Sequence, residues 1–479
     1  MPNTSLLWLR RDLRLADNPA LAAALEGADR LLPVYIHAPE EEDPWQPGAA
    51  SRWWLHHSLT ALGAQLAERG SRLVIARGET LGTLRRLIQA SGAGSCHWNR
   101  VYDPALIGRD TRIKQALRAD GIDCRSHNAA LLFEPWQIKT GAGEPYRVFT
   151  PYWRRCQREL ARLPAPLPAP GTLPPVPDGV DGLSVEVLDL LPRIPWDDGL
   201  RECWRPGEAG ARELLERFID GALEGYQDGR DLPARAGTSR LSPHLHFGEI
   251  GPRQIVARLA AAGLTGDDAD AFVRELGWRE FSHQLLYHFP QTPDTPLNPR
   301  FADFPWRDGD TEPLLQAWQR GRTGIPIVDA GMRELWHTGW MHNRVRMIVA
   351  SLLTKNLRLP WQSGARWFWD TLVDADLANN TQGWQWSAGS GADAAPYFRI
   401  FNPVRQGERF DPDGVYVRRW CPELAHMPKR WLHQPWAAPA DVPRDARVNL
   451  GRDYPRPIVD LAKTRAEALA AYDQIKDQG

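Results

Sequence analysis

Short apolar runs and amphipathic stretches take turns along the first 130 residues. Residues 5–10 ("SLLWLR"), 30–38 ("RLLPVYIHA"), 72–78 ("RLVIARG") and 95–103 ("SCHWNRVYD") have the near-continuous apolar character of buried strands. Residues 51–70 and 108–121 repeat their apolar positions at helical spacing. Strands of this kind alternating with helices predict a parallel sheet covered on both faces. Residues 1–135 are therefore expected to form an α/β, Rossmann-like domain. No GxGxxG follows the first strand; "RRDLRLADNPAL" does instead, which gives no support to an ordinary nicotinamide site.

The pattern changes after that. Residues 163–177, "LPAPLPAPGTLPPVP", hold seven prolines and predict a stiff, extended connection within a linker spanning 136–207. From 208 to 479 the periodicity is helical, as in "DDADAFVRELGWREFSHQLLYHF" and "MHNRVRMIVASLLTKNL", so an all-α domain is expected there. "TSRLSPHLHFGEI" reads as a polar loop entering a helix at Ser242 and Pro243. If "GWQW", residues 383–386, is helical, Trp384 and Trp386 point to nearly opposite sides.

Composition narrows the function classes. At 479 residues, with 43% apolar and 24% charged content, the chain has the make-up of a globular protein too long for one core. No apolar run approaches a membrane span, and the start lacks the order of a signal peptide. Five scattered cysteines suggest reduced thiols, with neither a disulfide frame nor a metal site. A cytoplasmic monomer is expected, with no membrane contact. Net charge is −1, so nucleic acid would have to be bound by a local basic patch. The outlier is tryptophan: there are 22, of which core filling would account for more than half.

Four stretches carry a resemblance: "EGYQDGRDLPARAGTSRLSPHLHFGEI", "ELGWREF", "WMHNRVRM" and "DADLANNTQGWQW…APYFRIFNP". Together with the opening "WLRRDLRLADN" they make the chain similar to the DNA photolyase/cryptochrome family. The likeness is greatest to class I photolyases acting on cyclobutane pyrimidine dimers, and it runs nearly the full length. It implies an α/β antenna domain followed by a helical FAD domain. From the residues alone, "TSRLS" makes either a phosphate cradle or a capped turn. The resemblance places the FAD diphosphate on Thr238, Ser239, Arg240, Leu241 and Ser242, with Tyr226 nearby. It also puts Trp278, Arg279, Asn343, Ala375 and Asp376 by the cofactor, pairs Asp374 with Arg346, and sets Asn380 opposite flavin N5.

The same likeness assigns two tasks to the indoles. Trp384, Trp361 and Trp306 match a three-member electron relay leading to the flavin. Trp386 and Trp278 match walls of the cavity for the flipped dimer, beside Glu275, Met347 and Asn343. Arg230, Arg344, Arg399 and Arg405 are candidate phosphate contacts on UV-damaged DNA. The activity implied is light-driven dimer splitting, that of a deoxyribodipyrimidine photo-lyase. Two related readings stand beside it. A (6-4) photolyase carries a histidine pair where this chain has only His342 followed by Asn343. A plant cryptochrome carries aspartate where this chain has Asn380. An antenna chromophore is also implied. Folate-binding members carry a glutamate in the loop after the fourth strand, where Ala105 or Leu106 stands here. Methenyltetrahydrofolate and a deazaflavin both stay open.

Overall fold

Strand β1, Thr4–Leu9, is buried at all six positions, and its side chains alternate between two apolar layers. Leu7 and Leu9 join one layer, Leu6 and Trp8 the other. In the computed structural model, which describes residues 2–394 and 398–476, this strand is the centre of a five-stranded parallel sheet. The order is β3-β2-β1-β4-β5, with β2 at Arg30–His37, β3 at Val74–Arg77, β4 at Ser95–Asn99 and β5 at Asp123–His127. Helices α1 (Pro19–Leu25), α2 (Ala49–Ala67), α3 (Thr80–Ser91) and α4 (Pro104–Ala119) are the crossovers. Strand β5, "DCRSH", escapes a pattern reading because only Cys124 is fully buried while Asp123 and Arg125 face solvent. Helix α4 starts four residues earlier than expected, so most of the presumed loop "YDPALIGRD" is helix.

The proline-rich stretch has no regular structure, but it is pinned rather than free. The Leu167 amide donates to Asp17 and Leu173 to the Arg69 carbonyl, and just past the stretch Leu183 donates to the Ile75 carbonyl. It is a strap laid across the α/β layer.

Apart from the helix before it, α5 (Phe149–Leu160), the helices that frame the site lie beyond it: α6 (Ser242–His246), α7 (Asp267–His288), α8 (Asn343–Ser351), α9 (Trp361–Thr371) and α10 (Leu377–Ala388). Two buried polar junctions join them to the sheet. The segment after β1 enters one: Arg14 donates to the carbonyls of Gly248 and Ala129, and Leu13 N–H to the Phe247 carbonyl. At Gly248, φ is +65° and an added Cβ would lie 2.1 Å from the Arg11 carbonyl oxygen, so only glycine allows this approach. Nearby, the buried Glu249 carboxylate accepts from Trp54 Nε1, Ser58 Oγ and the Gly207 amide, with His244 against its other oxygen.

Glu280 of α7 forms the second junction. Its Oε2 accepts from the amides of Leu132 and Phe133 at 2.8 and 3.2 Å. Burial pushes its carboxyl up to about 7, against the pull of the Arg279 charge. Between the ordinary 4.5 and 7, the folded state holds this proton while the unfolded chain has lost it. Stability at this site is thus full below 4.5 and falls as pH rises through 7, by on the order of 3 kcal/mol. Glu280→Gln keeps the acceptor and removes the proton. Urea midpoints at about pH 5 and about pH 8 should show the unmodified protein losing stability relative to Glu280→Gln; parallel profiles would refute this account.

Candidate functional site

Helix α10 sets the geometry of the site. Asp376 is its N-cap: Oδ1 accepts from the Asn379 amide at 2.9 Å and from Asn379 Nδ2 at 2.7 Å. The same carboxylate is buried between His283 Nε2 at 3.4 Å and His246 Nδ1 at 3.6 Å. Burial pushes its acidity down, but the two imidazoles outweigh this and hold the carboxyl well below the usual carboxylate range. Both histidines escaped the sequence reading; their signal was "HLHFGE" and "FSHQ" beside the recognised motifs.

Two residues earlier, Asp374 meets its expected partner. Arg346 Nη2 donates to both carboxylate oxygens, at 2.8 and 3.1 Å. Ser242 Oγ donates to the same group at 2.6 Å. Here the expected helix start holds but its cap does not: α6 begins at Ser242 after an uncapping Leu241, and the hydroxyl goes to Asp374. Thr238, Ser239 and Arg240 precede it as a half-buried turn, with Arg240 at φ +53° and its guanidinium over the rings of Trp204 and Trp340. Tyr226 is buried against Phe218 and Phe272. Ser242 and Asn343 are exposed, Ala375 is buried, and Asn380 is half-buried with Nδ2 donating to the Ala365 carbonyl. Hydroxyls, a strained backbone turn and an Arg–Asp pair on one wall fit a diphosphate and a polar ring system. Arg279 instead turns to the Ala130 carbonyl at 2.7 Å.

The helix does divide the two tryptophans. Trp384 is 2% exposed in the main helical core, with Phe368 and Trp318 edge-on to it. An added Cβ on Gly364 of α9 would come within 2.0 Å of its ring, so glycine is what lets the helices close on the indole. Trp361 belongs to the same core, and the half-buried Trp306 packs on it. Trp386 lies on the other face. With Met347, Lys355 and Arg399 it lines a cavity, and the Arg399 guanidinium is 5.9 Å from its ring. Trp278 is half-buried and stacked on Phe149 at 3.6 Å. Residues 395–397 of the "APYFRIFNP" motif lie outside the described residues.

Two of the four candidate phosphate contacts are differently engaged. Arg230 pairs with Glu275, and Arg344 forms a two-pronged pair with Asp231 at 2.7 and 3.2 Å. Neither is a bare cation, and Glu275 is tied up in turn. Arg399 and Arg405 are exposed.

A second cavity opens at the carboxyl ends of β1, β2 and β4, where the strand order reverses. That is the usual ligand crevice of an open α/β sheet. Trp8, Arg10, Tyr35, Glu42 and Arg109 line it. Leu106 also lines it while Ala105 is exposed, so the acid at this cavity is Glu42 and not a residue of the expected position. Among the described residues no cluster suits a metal ion, and no helix is long and apolar enough to cross a membrane.

Residues 5–171 match the family described as DNA photolyase, and residues 272–474 that described as the FAD binding domain of DNA photolyase. A deoxyribodipyrimidine photo-lyase of Agrobacterium fabrum is 49% identical over 98% of either chain. The crystal structure of a class III photolyase from Agrobacterium tumefaciens has a TM-score of 0.95 and 48% identity, covering 99% of this chain and 98% of that one. Cryptochrome-2 of Arabidopsis thaliana is 42% identical over 98% of this chain and 78% of its own length. The solved relative is of class III, not the class I that the motifs suggested.

Arg346→Met would leave Asp374, whose side chain is 4% exposed, without its cation. Breaking a buried pair in this way costs about 3–5 kcal/mol. The expected outcome is a lower melting temperature and a purified protein depleted of flavin, read by absorbance per chain. Full flavin content at unchanged melting temperature would remove Arg346 from the cofactor site.

Proposed function

This chain belongs to the DNA photolyase family, and from that premise we propose that it repairs cyclobutane pyrimidine dimers in DNA under light. The observation that carries the reading is the division of α10: a core indole, Trp384, on one face and a cavity indole, Trp386, on the other. FAD, when bound, reduced and excited by light, would supply the electron that splits the dimer and would regain it afterwards. The chain does the rest. Asp374, Arg346 and Ser242 hold the cofactor in place. Asn380 commits its Nδ2 to the Ala365 carbonyl, which leaves its side-chain oxygen as the polar atom it would offer the ring system. Trp386, Met347 and Trp278 take the flipped dimer out of the stack and exclude water from it. Trp384, Trp361 and Trp306 form the route by which an oxidised cofactor regains its electron.

A light receptor without repair activity is the second reading, favoured by the likeness to Cryptochrome-2. Asn380, in place of the aspartate of plant cryptochromes, speaks for repair. Illumination of the reduced protein with dimer-containing DNA decides between them: dimers disappear under the repair reading and persist under the other.

The two indoles can be separated experimentally. Trp384→Phe should abolish photoreduction of oxidised flavin, since phenylalanine is much harder to oxidise, while chemically reduced protein still splits dimers. Trp386→Phe should photoreduce normally and bind dimers more weakly, by less than the roughly 1–3 kcal/mol that removing the ring altogether would cost. Flavin reduction and dimer loss, followed in the same illuminated samples, check both. Normal photoreduction in Trp384→Phe would sink the relay assignment.

The arginine pairs bear on DNA affinity. A phosphate reaching Arg344 must replace Asp231 and releases little bound salt, whereas one reaching exposed Arg399 or Arg405 adds a full contact. Affinity should fall as salt rises. Arg399→Ala and Arg405→Ala should each lower the salt slope by about 1, and Arg344→Ala by less. Equal slopes in all three variants would contradict the pairing argument.

A further inference from the structure

Lys355 is 1% exposed, which is rare for a lysine lacking a carboxylate partner. It sits on Leu352–Asn356, a single π-helical turn continuing α8. Such turns re-aim side chains and recur at functional sites. Its ammonium donates to the carbonyl of Ala388, the last residue of α10, and lies 3.3 Å from the centroid of the Phe398 ring. The same side chain lines the cavity of Trp386, Met347 and Arg399.

The other charges around it are mostly committed. Asp393 and Arg399 share the cavity, and Asp393 accepts from the Phe149 amide. On α8, Arg344 and Arg346 are held by Asp231 and Asp374. On α9, Arg366 lies over Trp45 and Asp370 accepts from the Ala49 amide. On Leu461–Lys476, Glu467 faces Arg307 and Arg358. Among the described residues, no carboxylate forms an ion pair with Lys355.

We propose that Lys355 is an electrostatic positioning residue of the lesion cavity, whose charge behind Trp386 stabilises the dimer while it carries an extra electron. The inference rests on the repair reading above. In that reaction the dimer accepts one electron from the reduced cofactor, the two cyclobutane C–C bonds between the bases break, and the electron returns, with no net redox change. A fixed cation in a poorly polarisable cavity attracts the charged dimer far more than the neutral one. It therefore raises the splitting yield and adds little to binding in the dark. Burial also holds the Lys355 ammonium well below the ordinary lysine range. Its charge is full at low pH and is lost as pH rises through that lowered value.

The test uses flavin-loaded protein and saturating dimer-containing oligonucleotide. Dimers split per absorbed photon and dark affinity are measured from about pH 6 to about pH 10, for the unmodified chain, Lys355→Met and Lys355→Arg. The ratio of unmodified to Lys355→Met yield should be about threefold or more at the acid end and approach one at the alkaline end. Dark affinities should agree within about twofold. Lys355→Arg, charged throughout, should out-yield the unmodified chain at the alkaline end; this arm stands if Lys355→Met fails to take up flavin. A ratio that stays constant with pH, or a dark affinity that falls as far as the yield, would overturn the proposal. If the unmodified chain binds dimers but splits none at any pH, the repair reading itself falls, and this inference with it.

Discussion

The phase of one helix governs the site, and Asp376 sets that phase. A buried carboxylate must find partners, and this one finds them on three segments at once: the first turn of its own helix, His246 of α6 and His283 of α7. The cap fixes where α10 starts. At 3.6 residues per turn, the direction of every later side chain follows, so Trp384 meets the core and Trp386 the cavity. A start displaced by one residue would rotate both indoles by about 100° and serve neither. The same carboxylate locks α6, whose first residue, Ser242, reaches Asp374.

Packing then holds what the cap begins. Gly364 lets α9 close on the Trp384 ring, and Phe368 and Trp318 fix its tilt. Such close packing leaves a side chain few alternative rotamers, which keeps the Trp384 ring at a constant distance from its neighbours. The opposite face is looser. Trp386 is half-buried beside the long side chains of Met347 and Arg399. A wall of one indole and long, adaptable side chains suits a ligand that enters and leaves.

Much of this was legible in the chain. Four of five strands, the helical second half and the opposed indoles follow from period and spacing. The family motifs pointed to the Arg346–Asp374 pair, which the folded chain forms. What escaped has physical reasons. Strand β5 hides because one fully buried cysteine among polar residues leaves no apolar run. The Ser242 hydroxyl looked like a cap because sequence cannot show that Asp374, 132 residues away, competes for it. Arg230 and Arg344 looked like free cations because their acids, Glu275 and Asp231, meet them only in the folded chain. Lys355 drew no notice because its neighbours, Ala388 and Phe398, carry no charge to announce it.

The junction between sheet and helices follows another logic from the cores on either side. Apolar contact would hold the halves together without fixing their alignment, since it is non-directional. Glu249 gathers Trp54 and Ser58 of α2, the Gly207 amide and His244; Arg14 spans Gly248 and Ala129. Each is satisfied in one relative placement, and a shift would strand a buried charge, at a cost of several kcal/mol. These groups add little net stability compared with apolar replacements. They exclude alternatives instead. The cavity at the carboxyl ends of the strands is lined by Trp8 and Arg10 from the sheet and by His246, Trp369 and Ala375 from the helical half. His246 also touches Asp376. An error in the junction would therefore reach α10 directly. Directional polar contacts at the seam, and apolar packing away from it, divide the work of alignment and cohesion.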